Sequence, residues 1–177
     1  ERRNGGESGV VSVQAVQGDD VWQAERDGLW SRELLQAAVD PQSHARIDNL
    51  EDKWSKNDAV YLIEYRDGLR AAVAMASGVA GRFAFAARLK GQPKPVATWF
   101  RLQDGKPYGH FGYLVQANEH MIHTGRPAYP VERTLLTTGV LDTAMHSLAA
   151  NHRRLETPFL DVQYEAVDWP FASGVPG

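Results

Sequence analysis

One short stretch of the sequence gathers three side chains that can exchange protons or donate hydrogen bonds. Tyr108, His110 and Tyr113 follow Gly105-Lys106-Pro107 and stand at the start of a predicted helix. Helix N-termini attract anionic groups, and a histidine can give or take a proton near neutral pH. Tyr108 and His110 are therefore candidates for a substrate-binding site. The alternative is structural, with Tyr113 covering the sheet and His110 capping the helix.

A second pair of candidates is basic. Arg88 and Lys90 stand at the end of a predicted strand, beside a turn. There they could bind an anionic group of a substrate. Basic residues at strand ends are more often solvated, so this alternative stays open beside the first.

Two histidine pairs have the spacing of catalytic or metal-binding residues. His120 and His123 are three apart on a predicted helix, but without a third ligand nearby they are interpreted as part of its solvent face, and no metal site is predicted. Asp142 and His146 are four apart, a spacing at which a carboxylate can orient an imidazole. An ion pair on a helix surface explains that spacing equally simply, and it is the favoured interpretation.

Composition excludes several classes of protein. The 177 residues contain no cysteine, which removes disulfide scaffolds, thiolate nucleophiles and iron-sulfur clusters. Nineteen basic and 22 acidic residues give a net charge of −3, so binding to nucleic acid is not expected. The mean hydropathy is −0.41 and no apolar stretch could span a bilayer, so we expect a water-soluble protein without a membrane partner. A cytoplasmic location is also expected, although the absence of cysteine favours a reducing compartment only weakly.

The first half of the chain reads as strands with one helix. Alternating apolar residues predict a strand over Val10 to Val16, and Ser31 predicts the cap of a helix that ends before Pro41. A loop with one helical turn is expected from Gln42 to Asn57. Asp67-Gly68 then predicts a hairpin of Ala59 to Tyr65 with Leu69 to Ala76. Apolar residues on both faces of its first strand indicate a sheet covered on both sides, or covered on one side and paired with a partner on the other.

The second half adds two strands, two helices and a final strand. The strands are Phe83 to Leu89 and Val96 to Leu102, and the final one is Leu160 to Tyr164. Helical spacing runs from Phe111 to Ile122, and again from Pro130 to Leu148 on an apolar surface expected to pack against the sheet and the preceding helix. Gly139 within the second helix predicts a close approach of another segment. The five tryptophans are expected in the core or in an interface.

These elements predict one α+β domain over residues 1–166, with a mainly antiparallel open sheet, helices on one face and a loose tail at 167–177. No Gly-x-Gly-x-x-Gly turn or Gly-x-x-x-x-Gly-Lys-Ser/Thr loop occurs, so no cofactor-binding residue is predicted in this chain.

Several motifs in order resemble the C-terminal domain of the glucose-fructose oxidoreductase, inositol dehydrogenase and MocA family. There a helix ends in Thr-Gly-Lys/Arg-x-Pro, and a second helix leads to a Ser and a short basic strand. The similarity covers roughly residues 58–165, and residues 2–22 and 85–91 resemble an uncharacterised branch of the family. The matching segments are residues 63–71, 123–127, 130–142, Ser147 and 153–158.

The resemblance implies part of a longer oxidoreductase. Members hold NAD or NADP in an N-terminal Rossmann domain, which here would precede Glu1, and the C-terminal domain binds the substrate, a sugar, polyol or similar molecule. The sheet of relatives often packs against a neighbouring subunit, which implies a homo-oligomer formed through the sheet face. No catalytic residue of the family falls on a matching position here, and this part alone is not expected to be active. The alternative is a non-catalytic binding or assembly module that retains the family fold.

Overall fold

The computed structural model describes residues 5–40, 49–100, 102–103 and 105–167. These residues form six strands and four α-helices, with 3₁₀ turns at Glu51–Lys53 and Pro158–Leu160. The strands are β1 (Val10–Gln17), β2 (Ala59–Tyr65), β3 (Arg70–Met75), β4 (Ala84–Ala87), β5 (Val96–Trp99) and β6 (Leu155–Glu156). The helices are α1 (Asp20–Arg26), α2 (Arg32–Val39), α3 (His110–Thr124) and α4 (Val131–Ala149). The tail predicted at 167–177 lies, apart from Val167, outside the described residues.

The main sheet has the order β3-β2-β1-β6 and is antiparallel throughout. The α+β prediction is therefore confirmed. The predicted hairpin is present as β2 and β3, and Gly68 in its turn has a φ of 84°, which a residue without a side chain adopts without strain. The strands predicted at 83–89 and 96–102 are shorter, as β4 and β5, and form a separate two-stranded sheet.

Helices cover both faces of the main sheet, where the sequence predicts helices on one face only. On one face, Val13 and Ile63 pack against the α4 residues Leu136 and Ala144. On the other face, apolar residues of β1, β2 and α1 join the tryptophans: Val16, Val21, Ala24, Trp30, Val60 and Leu62. The prediction of helices on one face is wrong because the sequence pattern does not reveal α1. The seven residues of α1 bury only Val21 and Ala24, which are too few to form a recognisable helical pattern of apolar residues.

Three tryptophans close the second face, as expected of core aromatics. Trp22 lies 5.7 Å from Trp30 and 5.3 Å from Trp54, measured between ring centroids. Arg32 places its guanidinium 4.7 Å from the centroid of Trp22. Hydrogen bonding to Glu51, with a further contribution from Glu25, raises the pKa of Arg32 above its ordinary value despite the opposing effect of burial. The cation therefore remains charged over the aromatic ring, a stabilising arrangement.

The strand predicted over Leu160 to Tyr164 is wrong, because these residues form no strand. Pro158 begins a 3₁₀ turn that places Leu160 in the core, and Tyr164 forms only an isolated bridge with Glu7. The paired strand is β6, five residues earlier, beside β1. A β carbon added to Gly139 would lie 2.5 Å from the Leu160 side chain, so the predicted close approach at Gly139 is confirmed.

Ser147 fastens the end of α4 to the sheet. Its hydroxyl accepts a hydrogen bond from the backbone N–H of Ala15 at 2.9 Å and donates one to the carbonyl of Arg153 at 2.7 Å. Ser147 is fully buried. Both backbone groups would lose their partner if the hydroxyl were removed.

We expect Ser147→Ala to lower the free energy of unfolding by about 1–3 kcal/mol, because a buried N–H is left without an acceptor. Urea denaturation followed by circular dichroism measures the change. Thr137→Ala is the matched control, since the Thr137 hydroxyl bonds only within its own helix and is exposed. Equal stability of the two variants would contradict the role given to Ser147.

The predicted packing between the two long helices is not observed. The predicted stripe Leu136, Val140, Ala144 and Leu148 of α4 contacts the sheet core, but Leu141 and Met145 are exposed. In the described part of the chain no helix or strand packs along α3, and α3 contains no buried residue. α3 therefore presents most of its surface to solvent.

Candidate functional site

Tyr108 and His110 mark the start of α3, as the sequence predicts. Tyr108 has a φ of 55°, in the left-handed region that non-glycine residues rarely adopt. The predicted capping by His110 is not observed, because Gly109 is the N-cap of α3 and, among the described residues, no side chain caps the first turn. The Gln103 side chain accepts the N–H of Gly109 at 2.7 Å. Tyr113 does not cover the sheet, because α3 does not pack on it.

His110 has one polar atom without a partner. Its Nδ1 is buried and makes no hydrogen bond within the described residues, while its ring lies 4.4 Å from that of Phe111. A buried imidazole nitrogen without a partner is costly, so such atoms deserve a functional explanation. The Nδ1 atom could therefore bind a ligand group only after the segment around it opens to expose it.

Arg88 and Lys90 lie on the β4–β5 hairpin. Arg88 forms an ion pair with Glu33 of α2, and this contact helps to fix the hairpin against that helix. Lys90 is exposed in the turn that follows. Of the two basic residues, Lys90 is therefore the one left available to an anionic ligand.

The predicted candidates are two pairs of residues that are close in the sequence. Among the residues that the structure describes, no hydrogen bond or ion pair links Tyr108 or His110 to Arg88 or Lys90. Tyr108 and His110 are brought together by their position in the sequence, and Arg88 and Lys90 likewise.

An aspartate–histidine pair that sequence spacing does not reveal joins α1 to the residues that follow α4. His152 Nδ1 lies 2.6 Å from Asp20 Oδ2, and His152 has a φ of 63°. The Gln14 side chain donates to the His152 carbonyl at 2.9 Å, which holds this residue beside β1. A carboxylate that orients an imidazole can support general acid–base chemistry. No spacing rule finds residues 132 positions apart, so only the fold reveals the pair.

Arg154 is the centre of a second polar cluster. Its guanidinium donates to Ser12 Oγ at 2.8 Å and to Glu64 Oε2 at 2.7 Å, and lies 3.6 Å from Glu156. Two carboxylates and a hydroxyl use the charge and the donors of Arg154. The cluster therefore ties β6, β1 and β2 together rather than leaving a cation to bind a ligand.

Comparisons with known proteins find no relative. No protein-family model, curated protein or solved structure matches this chain. The resemblance described above therefore rests on the sequence motifs alone.

The Asp142–His146 motif fits its simpler interpretation, whereas His120 of the other pair is half-buried rather than part of a solvent face. Asp142 and His146 are 3.7 Å apart with both side chains more than 60% exposed, which describes a surface ion pair. Within the described ranges no three histidine or acidic side chains converge as metal ligands would. No helix in those ranges has the length and apolar content that crossing a membrane requires.

Proposed function

We propose that this chain is the substrate-binding and dimerisation domain of a nicotinamide-dependent oxidoreductase that transfers a hydride to or from a sugar, polyol or similar substrate. NAD or NADP would be held by a Rossmann domain of the same protein. The observation that carries the proposal is the order of the family motifs on successive elements: the β2–β3 hairpin, the end of α3, α4 and β6.

The motif residues take structural positions that support this proposal. Gly125 ends α3 in the left-handed conformation with a φ of 67°, which explains the glycine of Thr-Gly-Arg-x-Pro. Gly139 allows α4 to approach Leu160, and Ser147 fastens α4 to β1. Thr157, fully buried, donates to the carbonyl of Val10 at 2.8 Å. The motif residues thus hold α4, the main sheet and the segment after β6 in one arrangement.

Contact between subunits through the sheet would use β3. β1 and much of β2 are covered on both faces, whereas five of the six residues of β3 are exposed. β3 also ends the sheet, so its outer edge offers backbone groups to another strand. Of the strands in the main sheet, β3 is therefore the one suited to meeting a partner.

The first test reads the coding frame upstream of Glu1 over about one domain, roughly 150 residues. We expect a strand, a glycine-rich turn and a helix, the pattern that binds a dinucleotide. An unrelated domain there would overturn the oxidoreductase proposal and favour the binding or assembly module.

The second test measures NAD(P)H turnover by the full-length protein with a panel of sugars and polyols. We expect His110→Ala to lower kcat/KM by about tenfold or more, because a hydrogen bond to the substrate would be lost, and such a bond to a charged group is worth about 1.5–3 kcal/mol. His123→Ala, on an exposed part of the same helix, is the matched control. Equal activity of the two variants would show that His110 is not part of the substrate site. The oxidoreductase proposal is tested separately, by whether the full-length protein turns over NAD(P)H at all.

A further inference from the structure

α3 carries an apolar stripe with the spacing of a helix that packs against another helix. Phe111, Leu114, Asn118 and Met121 follow one another at intervals of three, four and three residues, which places them on one face. Val115 and Ile122 widen this stripe to about a third of the helix circumference. The five apolar side chains are 45% to 76% exposed.

In the part of the chain that the structure describes, the stripe faces away from the other elements. The half-buried residues of α3 are His110, Ala117 and His120, and these lie outside the stripe. The more apolar face of an amphipathic helix ordinarily faces the protein core. α3 has the opposite orientation, so its apolar face is placed to meet a partner.

We infer that α3 packs antiparallel against α3 of a second copy of this chain, with Asn118 on the two-fold axis. This contact is distinct from the one proposed for β3. A two-fold interface brings each residue on the axis against itself, which requires a self-complementary side chain. A primary amide has both donors and an acceptor, so two Asn118 side chains can bond each other. A single Asn within an apolar helix face is also a known means of fixing register.

The register set by Asn118 is complementary along the whole stripe. It places Leu114 beside Ile122 of the second copy and Val115 beside Met121 of the second copy. The largest side chain, Phe111, then faces Gly125, which has no side chain. Glu119, the one acidic residue of α3, faces Ala117, so like charges do not meet.

The exposed apolar area has the size that such a contact needs. With about 150–200 Å² for each fully exposed side chain of this kind, the stripe offers roughly 500 Å² per copy. Val131 and Leu135, exposed at the start of α4 just after the turn that ends α3, add roughly 200 Å² on the same basis. A stable dimer buries about 800 Å² per partner, so a contact centred on α3 approaches that size.

A disulfide tests the position of the axis. The chain has no cysteine, so a single introduced cysteine is a unique probe. A disulfide requires α carbons closer than about 7 Å, which two copies of residue 118 satisfy only near the axis. In the full chain at micromolar concentration under mild oxidation, we expect Asn118→Cys to form a covalent dimer at least about tenfold faster than Gln116→Cys, on the opposite side of α3. Equal rates for the two variants would overturn the inference.

Sedimentation equilibrium tests the contact itself. Both Leu114 and Met121 are exposed, so the double variant Leu114→Glu/Met121→Glu is expected to keep the fold, checked by circular dichroism. We expect it to weaken association through α3 by at least about 100-fold, because four carboxylates would meet in that interface, while association through β3 stays unchanged. The double variant should therefore form smaller assemblies than the unmodified chain. Gln116→Glu is the control and should associate as the unmodified chain does. A double variant that still associates normally would show that α3 is not the contact, whereas loss of association confined to it would support the inference.

Discussion

Gly9→Ala is expected to lower the free energy of unfolding by about 3 kcal/mol, from backbone strain and backbone overlap acting together. Gly9 has a φ of 85°, a conformation that L residues with a side chain rarely adopt. A β carbon there would lie 2.6 Å from the carbonyl oxygen of Leu160 and 3.1 Å from the backbone nitrogen of Val162. These neighbours are backbone atoms, so no side-chain rotation relieves the overlap.

Relief of that overlap would disturb hydrogen bonds around the start of β1. The Gly9 N–H donates to the buried carboxylate of Glu7 at 3.1 Å, and the Gly9 carbonyl accepts the N–H of Arg66 at 3.0 Å. The segment after β6 would have to move as well. The variant should therefore lose stability without any change to an apolar contact.

Two control variants separate the causes. Gly81→Ala has neither a positive φ nor an atom near the added carbon, and should change the free energy of unfolding by less than about 0.5 kcal/mol. Gly5→Ala has a φ of 84° but open space around it, so it should lose about 1 kcal/mol from strain alone. Thermal or urea unfolding measures all three. A Gly9 variant no less stable than the Gly5 variant would refute the predicted overlap.

The elements that could be predicted from sequence are those specified by neighbouring residues. Asp67-Gly68 sets the hairpin turn, and the Ser31 hydroxyl accepts the N–H of Leu34 at the start of α2, as a capping serine does. Gly139 indicated a close approach within α4, although not which segment approaches. Local rules failed at the chain end, where Pro158 starts a 3₁₀ turn in a run that has the composition of a strand.

In the candidate site, too, the sequence predicts contacts between neighbouring residues but not contacts between distant elements. Tyr108 and His110 could be grouped because they are two residues apart and follow one loop. The ion pair between Arg88 and Glu33, and the contact between Asp20 and His152, depend on how distant elements meet. Periodicity places a residue on a face of its own element, but it does not say which distant residue that face will meet. The ion pair with Glu33 therefore changes the interpretation of Arg88 from a ligand-binding residue to a structural one.

Leu160→Ala is expected to lower the free energy of unfolding by about 3–5 kcal/mol. Leu160 is fully buried in the core cluster between β1 and α4. Truncation removes apolar contacts and leaves a cavity that neighbouring strands and helix cannot fully fill. Leu89→Ala removes the same atoms from an exposed position and should change stability by less than about 1 kcal/mol. Similar losses in urea unfolding would mean that Leu160 does not hold α4 against the sheet.

The contact between Leu160 and Gly139 makes a sharper prediction through a double-mutant cycle. Gly139→Ala alone gains about 1 kcal/mol of helix propensity. The added carbon, however, lies 2.5 Å from Leu160 Cδ2, so we expect a net loss of about 1 kcal/mol. In the Leu160→Ala background the 2.5 Å overlap is gone and the new methyl group fills part of the cavity, while a close contact of 3.1 Å with Phe159 Cε2 remains. The same substitution should therefore stabilise by about 1 kcal/mol. The coupling energy would then be about 2 kcal/mol, which identifies direct contact. If the changes in the free energy of unfolding were additive instead, residues 139 and 160 would not be in direct contact.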